Sequence, residues 1–552
     1  MNMLRYIALS VLSGLLFAAA WPAHGFPFLI FFAFVPLLLA EHRITRTHEI
    51  KRQALTVFLL SFLSFFIWNI LTTWWLFNSL NPGGTRSWIA GTIPNLINPT
   101  LMALLFVFYH FYRKKTGTYF GLVFFVVSWI CFEKMHLSWE LTWPWLNLGN
   151  AFAGWHEVVQ WYDATGTFGG TLWVLVANVM GFYTVRIYQA SRKRKELYRN
   201  IAIFGAIVLI PVVVSLLKYK YEDFSQDGEV DVVLLQPALD PYQEKYSKDS
   251  LQILGELLQI AKENAEGKVD FFIAPETAIP GVGGISERGL SNSLLLNEIA
   301  DFTSQYRGAS FVTGASTYRV YDNEAEKSST AYRNRFADVW MDSYNAALQI
   351  VPGAATIDTY HKGKLVPGVE IFPYMKTLEP VLGNAMLDLG GTVASLGTDE
   401  VRKVFANPYN NAVLAPIICY ESIYGEFVTG YVKNGANLLA IVTNDSWWGY
   451  SPGHRQLLAY AKLRAIETRK EVVRSANSGV SALINAKGDV VETLPYGAQG
   501  ALKVKAGLHE GQTAYVRYGD VIYLVALFVF GFMLAYYVAQ IILAKNNKTL
   551  AR

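Results

Sequence analysis

The 552-residue chain is 52% apolar or aromatic and only 16% charged, against the quarter that an ordinary soluble domain carries. Its 14% aromatic content excludes a disordered chain, and a dispersed net charge of +4 leaves no footprint for nucleic acid. Two cysteines cannot make a disulfide scaffold.

Charge is unevenly spread. Between Gln53 and Phe111 the only charged residue is Arg86, and Val521 to Leu543 carries none. From about Gly228 to Gln512 a normal soluble density returns. A bilayer core of about 30 Å needs about 20 apolar residues in a helix. Runs of that kind fall at 5–22, 26–41, 54–78, 87–111, 118–135, 168–187 and 200–217, with an eighth at 519–543. Ala18-Ala19-Ala20 resembles a cleavage site, but the further spans favour an uncleaved first helix. Basic clusters at Arg43–Arg52, Arg113–Lys115, Arg186–Arg199 and Lys545–Arg552 all fall on one side when spans are counted from a cytoplasmic N-terminus. The positive-inside rule then puts both termini in the cytoplasm and residues 229–512 outside. The expected domains are a transmembrane bundle over 1–217, a linker over 218–228, an extracytoplasmic domain over 229–512 and a C-terminal helix over 519–543.

The polar region alternates short apolar runs with amphipathic stretches. Strands are predicted at 230–235, 271–274, 310–313, 346–350, 412–419, 438–442 and 480–484, and helices at 250–266, 291–305 and 454–472. Such alternation predicts an α/β domain. Phe271-Phe272-Ile273-Ala274-Pro275-Glu276 delivers a carboxylate at a strand end. Ala415-Pro416-Ile417-Ile418-Cys419-Tyr420-Glu421 delivers a thiol in the same way, and between them Tyr360-His361-Lys362-Gly363 offers a lysine. Strand carboxyl ends are where α/β folds carry chemistry. Cys419 is the only cysteine outside the apolar spans. A small buried hydrophobe is the bland reading of it, and a nucleophile needing a base and an oxyanion donor is the other. Spacing alone does not select Glu276 and Lys362 among the many Glu and Lys. His361 and His454 have no partner at ligand spacing, so neither metal nor other cofactor is expected. Gly283-Gly284 and Gly390-Gly391 lack the context of a phosphate loop.

In order and spacing, these segments resemble the Glu-Lys-Cys motifs of the nitrilase (carbon–nitrogen hydrolase) superfamily. With apolar spans on both sides, the whole chain resembles its membrane-bound bacterial apolipoprotein N-acyltransferases. Trp143-Pro144-Trp145-Leu146-Asn147-Leu148-Gly149, Asn444-Asp445-Ser446-Trp447-Trp448-Gly449, Arg474-Ser475-Ala476-Asn477-Ser478-Gly479 and the Tyr515–Gly519 stretch carry the likeness too. The resemblance implies an α-helical membrane bundle of about eight helices joined to an αββα sandwich. It makes Glu276 the general base, Cys419 the nucleophile and Lys362 the stabiliser of the tetrahedral intermediate, with Glu370, Tyr420, Glu421 and Trp447 in support. Residues 365–370 read Leu-Val-Pro-Gly-Val-Glu where the familiar pattern is Leu-Val-Pro-Phe-Gly-Glu, so the lysine-to-glutamate spacing survives in an altered loop. Tyr246 is a candidate for the aromatic of the domain's first loop. Glu370 and Glu421 read alternatively as salt-bridge partners of Lys362 or an arginine, and Trp447 as a core or interface aromatic. Lys364 reads as solvated.

The implied reaction is ping-pong acyl transfer at the bacterial inner membrane. A phospholipid in the bilayer donates the acyl group to Cys419, and the α-amine of a diacylated apolipoprotein accepts it. Acyl chains leave a bilayer at a cost of about 0.8 kcal/mol per CH₂, so the nucleophile has to come to the membrane. Residues 371–375, with Leu378 and Val381-Leu382, read either as a lipid-surface lid or as a packing segment. The rival functions are a membrane-tethered amide hydrolase and a non-catalytic lipid-binding scaffold.

Overall fold

The computed structural model describes all residues except 1–2, 48, 81–84, 243–247, 281–282, 335–336, 375–376, 378–394 and 551–552. The chain forms two compact units, one of residues 1–74, 91–221 and 518–552, the other of 75–90 and 222–517.

The first unit is helical. Among the described residues, seven helices are long and apolar enough to cross a membrane: Pro27–Arg46, Gln53–Asn78, Trp88–Thr116, Thr118–His136, Tyr162–Ser191, Arg194–Tyr221 and Val521–Ala544. Met3–Ala19 is apolar but has only 17 residues, a length of about 25 Å at 1.5 Å per residue. The expected span at 26–41 is broken into a 3₁₀ turn and two helical pieces, Ile30–Ala33 and Val35–Arg46. The Trp143–Gly149 motif leads into a 3₁₀ segment, Leu148–Val159, that the periodicity did not predict. Its anchor is the buried Glu133, which accepts from Leu148 N (2.8 Å), Thr171 Oγ1 (2.6 Å) and Trp129 Nε1 (3.1 Å). Three donors make a carboxylate tolerable among apolar helices. Gly149 is required there, since a Cβ would lie 2.0 Å from Thr167 O.

The second unit is built on two sheets. Its strands are β1 (Gly228–Gln236), β2 (Phe271–Ile273), β3 (Ile285–Ser286), β4 (Ser310–Tyr321), β5 (Tyr332–Asn334), β6 (Val339–Ile350), β7 (Asp358–His361), β8 (Phe405–Ala406), β9 (Val413–Ile418), β10 (Leu438–Thr443), β11 (Val472–Ala476), β12 (Ser481–Ile484), β13 (Val490–Leu494) and β14 (Gly500–Leu508). The larger sheet runs β14-β1-β2-β4-β6-β5, with β3 on β4 and β7 on β6; the smaller runs β13-β12-β11-β10-β9-β8. β1-β2-β4 and β9-β10-β11 are parallel cores with antiparallel flanks. The sheets meet face to face, with Ser475 Oγ donating to Leu235 O at 2.8 Å and Gln349 Nε2 to Ala406 O at 2.8 Å. Helices Ser250–Glu263 and Leu294–Ser304 pack on the larger sheet through Leu254, Leu257, Ile299 and Phe302 against Phe272 and Phe311. Helices Gly425–Lys433 and Pro452–Thr468 pack on the smaller one, completing an αββα sandwich.

Several expected boundaries move. The runs at 310–313 and 346–350 are the ends of a long hairpin, β4–β6, paired from Phe311↔Ile350 to Tyr321↔Trp340. The helix expected over 454–472 stops at Thr468, because Arg469 turns left-handed (φ 52°) and Val472 starts β11. Residues 75–90, expected in the bundle, cluster instead with the α/β unit. Trp75 is fully buried with its ring 4.5 Å from that of Trp448, and Leu80 N donates to Tyr242 Oη at 3.0 Å.

Candidate active site

Glu276 follows β2 by three residues. Ala274 N extends the ladder to Val312 O (2.8 Å), and Pro275 turns the chain so that the carboxylate is buried over the sheet end. Gly314 on β4 lets this turn come close: a Cβ there would lie 2.4 Å from Thr277 N and 2.6 Å from Glu276 Cα. Lys362 leaves the end of β7, its backbone N–H donating to Asn345 O at 2.9 Å. Its ammonium is 1% exposed and donates to Glu276 Oε1 at 3.0 Å and Glu370 Oε1 at 2.9 Å. Burial alone would lower the lysine's pKa, but Glu276 and Glu370 outweigh it and hold the pKa well above the ordinary value.

Cys419 ends β9 in the left-handed region, φ 48°, a conformation that costs an L-residue roughly 1–2 kcal/mol. The 3₁₀ turn Cys419–Ile423 holds it there: Glu421 Oε2 accepts from Ile418 N (2.8 Å), and Ser422 Oγ donates to Cys419 O (2.6 Å). Burial and the Glu276 carboxylate raise the thiol's pKa, with Lys362 and Thr443 pulling the other way. The sulfur thus lies within electrostatic reach of a carboxylate and an ammonium. Such a pair suits a base that takes the proton during attack and a cation that meets the developing oxyanion.

Glu370 keeps its place despite the altered loop. Gly368 takes φ 81°, its N–H donates to Ile371 O (2.8 Å), and Val366 N donates to Glu370 Oε2 (2.8 Å). The turn directs the carboxylate to Lys362, one of the two partners open to it in the sequence. Glu421 is not an ion-pair partner of Lys362. It is fully buried and accepts from Tyr360 Oη (2.5 Å), Gly363 N (2.6 Å), Ile418 N (2.8 Å) and Tyr431 Oη (3.2 Å), so it ties the chain around Lys362 to the turn holding Cys419. Tyr420 is buried with its ring 5.3 Å from that of Tyr424. Trp447 sits in the 3₁₀ turn Asp445–Trp448, its carbonyl accepting from Tyr242 Oη at 3.0 Å. Tyr246, and Met375, Leu378, Val381 and Leu382 of the expected lid, lie outside the described residues. Lys364 lies over the rings of Tyr424 (5.2 Å) and Phe427 (5.9 Å), not free in solvent.

Two asparagines with no role predicted from sequence also reach the carboxylates. Asn345 Nδ2 donates to both Glu276 Oε1 (2.7 Å) and Glu370 Oε1 (2.9 Å), and Asn444 N donates to Glu276 Oε2 (3.1 Å). Asn444 lies in a motif already singled out; Asn345, mid-strand in β6, had no local signal. The buried Arg474–Asp445 pair (2.7 Å) secures the segment after Asn444, and Thr443 Oγ1 donates to Asp445 Oδ1 at 2.9 Å. His361, which the sequence left without a partner, contacts Glu287 and Asp399.

The family model described as carbon–nitrogen hydrolase matches residues 232–513, the whole two-sheet region. The chain belongs to that family. A second model, the apolipoprotein N-acyltransferase N-terminal domain, matches residues 13–180. The apolipoprotein N-acyltransferase of Chlorobaculum tepidum is 25% identical over 535 residues, covering 95% of each chain. That of Thermotoga maritima is 26% identical over 522 residues, covering 93% of this chain and 90% of its own. Among solved structures, an amidase from Nesterenkonia sp. aligns with a TM-score of 0.35 and 13% identity, over 54% of this chain and 96% of that one.

Proposed function

We propose that this protein is an apolipoprotein N-acyltransferase that moves a fatty acyl chain from a membrane phospholipid, through a thioester on Cys419, to the N-terminal amine of an S-diacylglyceryl-cysteine lipoprotein. The observation that carries the reading is the meeting of Glu276, Lys362 and Cys419 in a carbon–nitrogen hydrolase domain whose chain runs into apolar helices at both ends. Relatives of that name align over nearly the full length, bundle included, and an amide hydrolase has no use for the bundle.

Glu276 takes the thiol proton as sulfur attacks the phospholipid ester carbonyl, and the Lys362 ammonium faces the oxyanion. Collapse breaks the ester C–O bond, the lysophospholipid leaves with the proton returned by Glu276, and the acyl group remains on Cys419. The lipoprotein α-amine then attacks the thioester and gives its proton to Glu276. The amide product departs and the thiol is restored. Glu370 and Asn345 hold Lys362 and Glu276 in register, while Glu421 braces the nucleophile turn; Tyr420 and Trp447 support the same region. The bundle keeps the site at the bacterial inner membrane, with both termini cytoplasmic and the α/β domain on the opposite face.

Incubation of purified protein with phospholipid alone, followed by intact-mass measurement, tests this. A fatty-acyl adduct is expected on Cys419, absent in Cys419→Ala and discharged by a diacylated lipopeptide. No adduct with lipid competently presented would overturn the reading.

A further inference from the structure

His361 is buried at the end of β7, one residue before Lys362. Both ring nitrogens face carboxylates: Nε2 lies 2.5 Å from Glu287 Oε1, and Nδ1 lies 3.0 Å from Asp399 Oδ1. The His361 backbone N–H also donates to Asp399 Oδ2 at 3.1 Å. A neutral imidazole has one N–H and one lone pair, so it can satisfy only one of two ionised carboxylates; only the imidazolium donates to both. The surroundings agree. Glu287 is held by Arg319 (2.9 Å) and by Thr317 Oγ1 (3.1 Å), and Asp399 by Lys403 (2.8 Å). The ring of Tyr344, from β6, stacks on the imidazole at 4.0 Å. Charge thus alternates along Arg319, Glu287, His361, Asp399 and Lys403.

This row lies where it can govern Lys362. The His361–Asp399 contact ties the end of β7, where Lys362 sits, to the stretch around Asp399. In that stretch Leu396 N donates to Glu370 O (2.9 Å) and Gly397 N to Ser343 O (2.9 Å). His361 pairs with Ala346 across β6–β7, and Asn345, beside Ala346, holds the Lys362 backbone.

We propose that His361 is a positioning residue for acyl transfer: as an imidazolium clamped between Glu287 and Asp399, it locks the end of β7 to the 396–399 stretch, so that Lys362 and the Glu370 it pairs with are held in place. This rests on the acyltransferase reading above. Burial alone would lower the histidine's pKa, but its bonds to Asp399 and Glu287 outweigh that and raise it. The proton-bound form is the competent one, so competence is present at low pH and is lost as pH rises through the raised value, above the ordinary histidine pKa of about 6.5.

The test is the rate of Cys419 acylation by phospholipid vesicles, followed by intact mass in the detergent-solubilised full-length protein from pH 5 to pH 10. Wild type is expected to lose rate on an alkaline limb. Asp399→Asn should move that limb to lower pH by about one unit, because one stabilising carboxylate is gone. His361→Gln should remove the limb and lower the plateau by about tenfold to a hundredfold, the scale of a slight misplacement of reacting groups. An identical limb in wild type and both variants would overturn the inference while leaving the acyltransferase reading intact. No acyl adduct in wild type at any pH would overturn both. If His361→Gln fails to fold, the displacement of the limb in Asp399→Asn decides alone.

Discussion

At Gly314 the site has no room for a methyl group. All three nearest atoms to an added Cβ are backbone atoms of Pro275, Glu276 and Thr277, within 2.4–2.6 Å, and backbone at a sheet end cannot step aside as a side chain can. Gly314→Ala is expected to push the Glu276 turn off the sheet, cutting the Cys419 acylation rate by at least about tenfold. Overpacking should also cost about 1–3 kcal/mol in thermal unfolding. An unchanged rate would mean that the Glu276 carboxylate is not needed where it stands. No local pattern marks Gly314, whose importance arises from β2 and β4 lying side by side.

Glu421 couples two elements, since four donors from β7, the Gly363 turn, the end of β9 and helix Gly425–Lys433 converge on one carboxylate. Burial raises its pKa and the donors offset only part of that, so the net value moves from 4.5 up to about 7. Because the folded value exceeds the unfolded one, the folded state keeps a proton that the unfolded chain releases. The stability this contributes is complete below about pH 4.5 and is lost as pH climbs to about 7. Thermal unfolding of wild type between pH 4.5 and pH 7 should therefore slope downward with pH, and Glu421→Gln, which cannot titrate, should flatten that slope. Tyr431→Phe removes one hydrogen bond at 3.2 Å and should cost about 1 kcal/mol. An equal slope in wild type and Glu421→Gln would assign the pH dependence to other groups.

For the whole molecule, the distribution of basic residues makes an expectation about sidedness. In right-side-out membrane vesicles, with Cys131 and Cys419 replaced, a membrane-impermeant thiol reagent should label Tyr450→Cys and not Lys195→Cys. Tyr450 is 72% exposed on the α/β unit, and Lys195 lies in the first turn of helix Arg194–Tyr221, within the basic stretch that follows helix Tyr162–Ser191. The opposite pattern would invert the topology.

Sequence by itself determined the helical and α/β division, seven of the strands from which the two sheets are built, and the strand-end position of Glu276 and Cys419. Hydropathy is a local, nearly additive property, and a strand end is marked by the residues that stop it. Tertiary structure alone decided who meets whom. Lys362 and Glu276 are 86 residues apart in the chain, and Asn345 reaches both Glu276 and Glu370 only through the register of β6. His361 gains its two carboxylates from segments 74 and 38 residues away, and Trp75 leaves the bundle for the α/β unit because Trp448 buries it. Each of these is a pairing of a buried charge, donor or ring with a distant partner. Burial requires such a partner, but nothing in the local sequence says which one the folded backbone will bring.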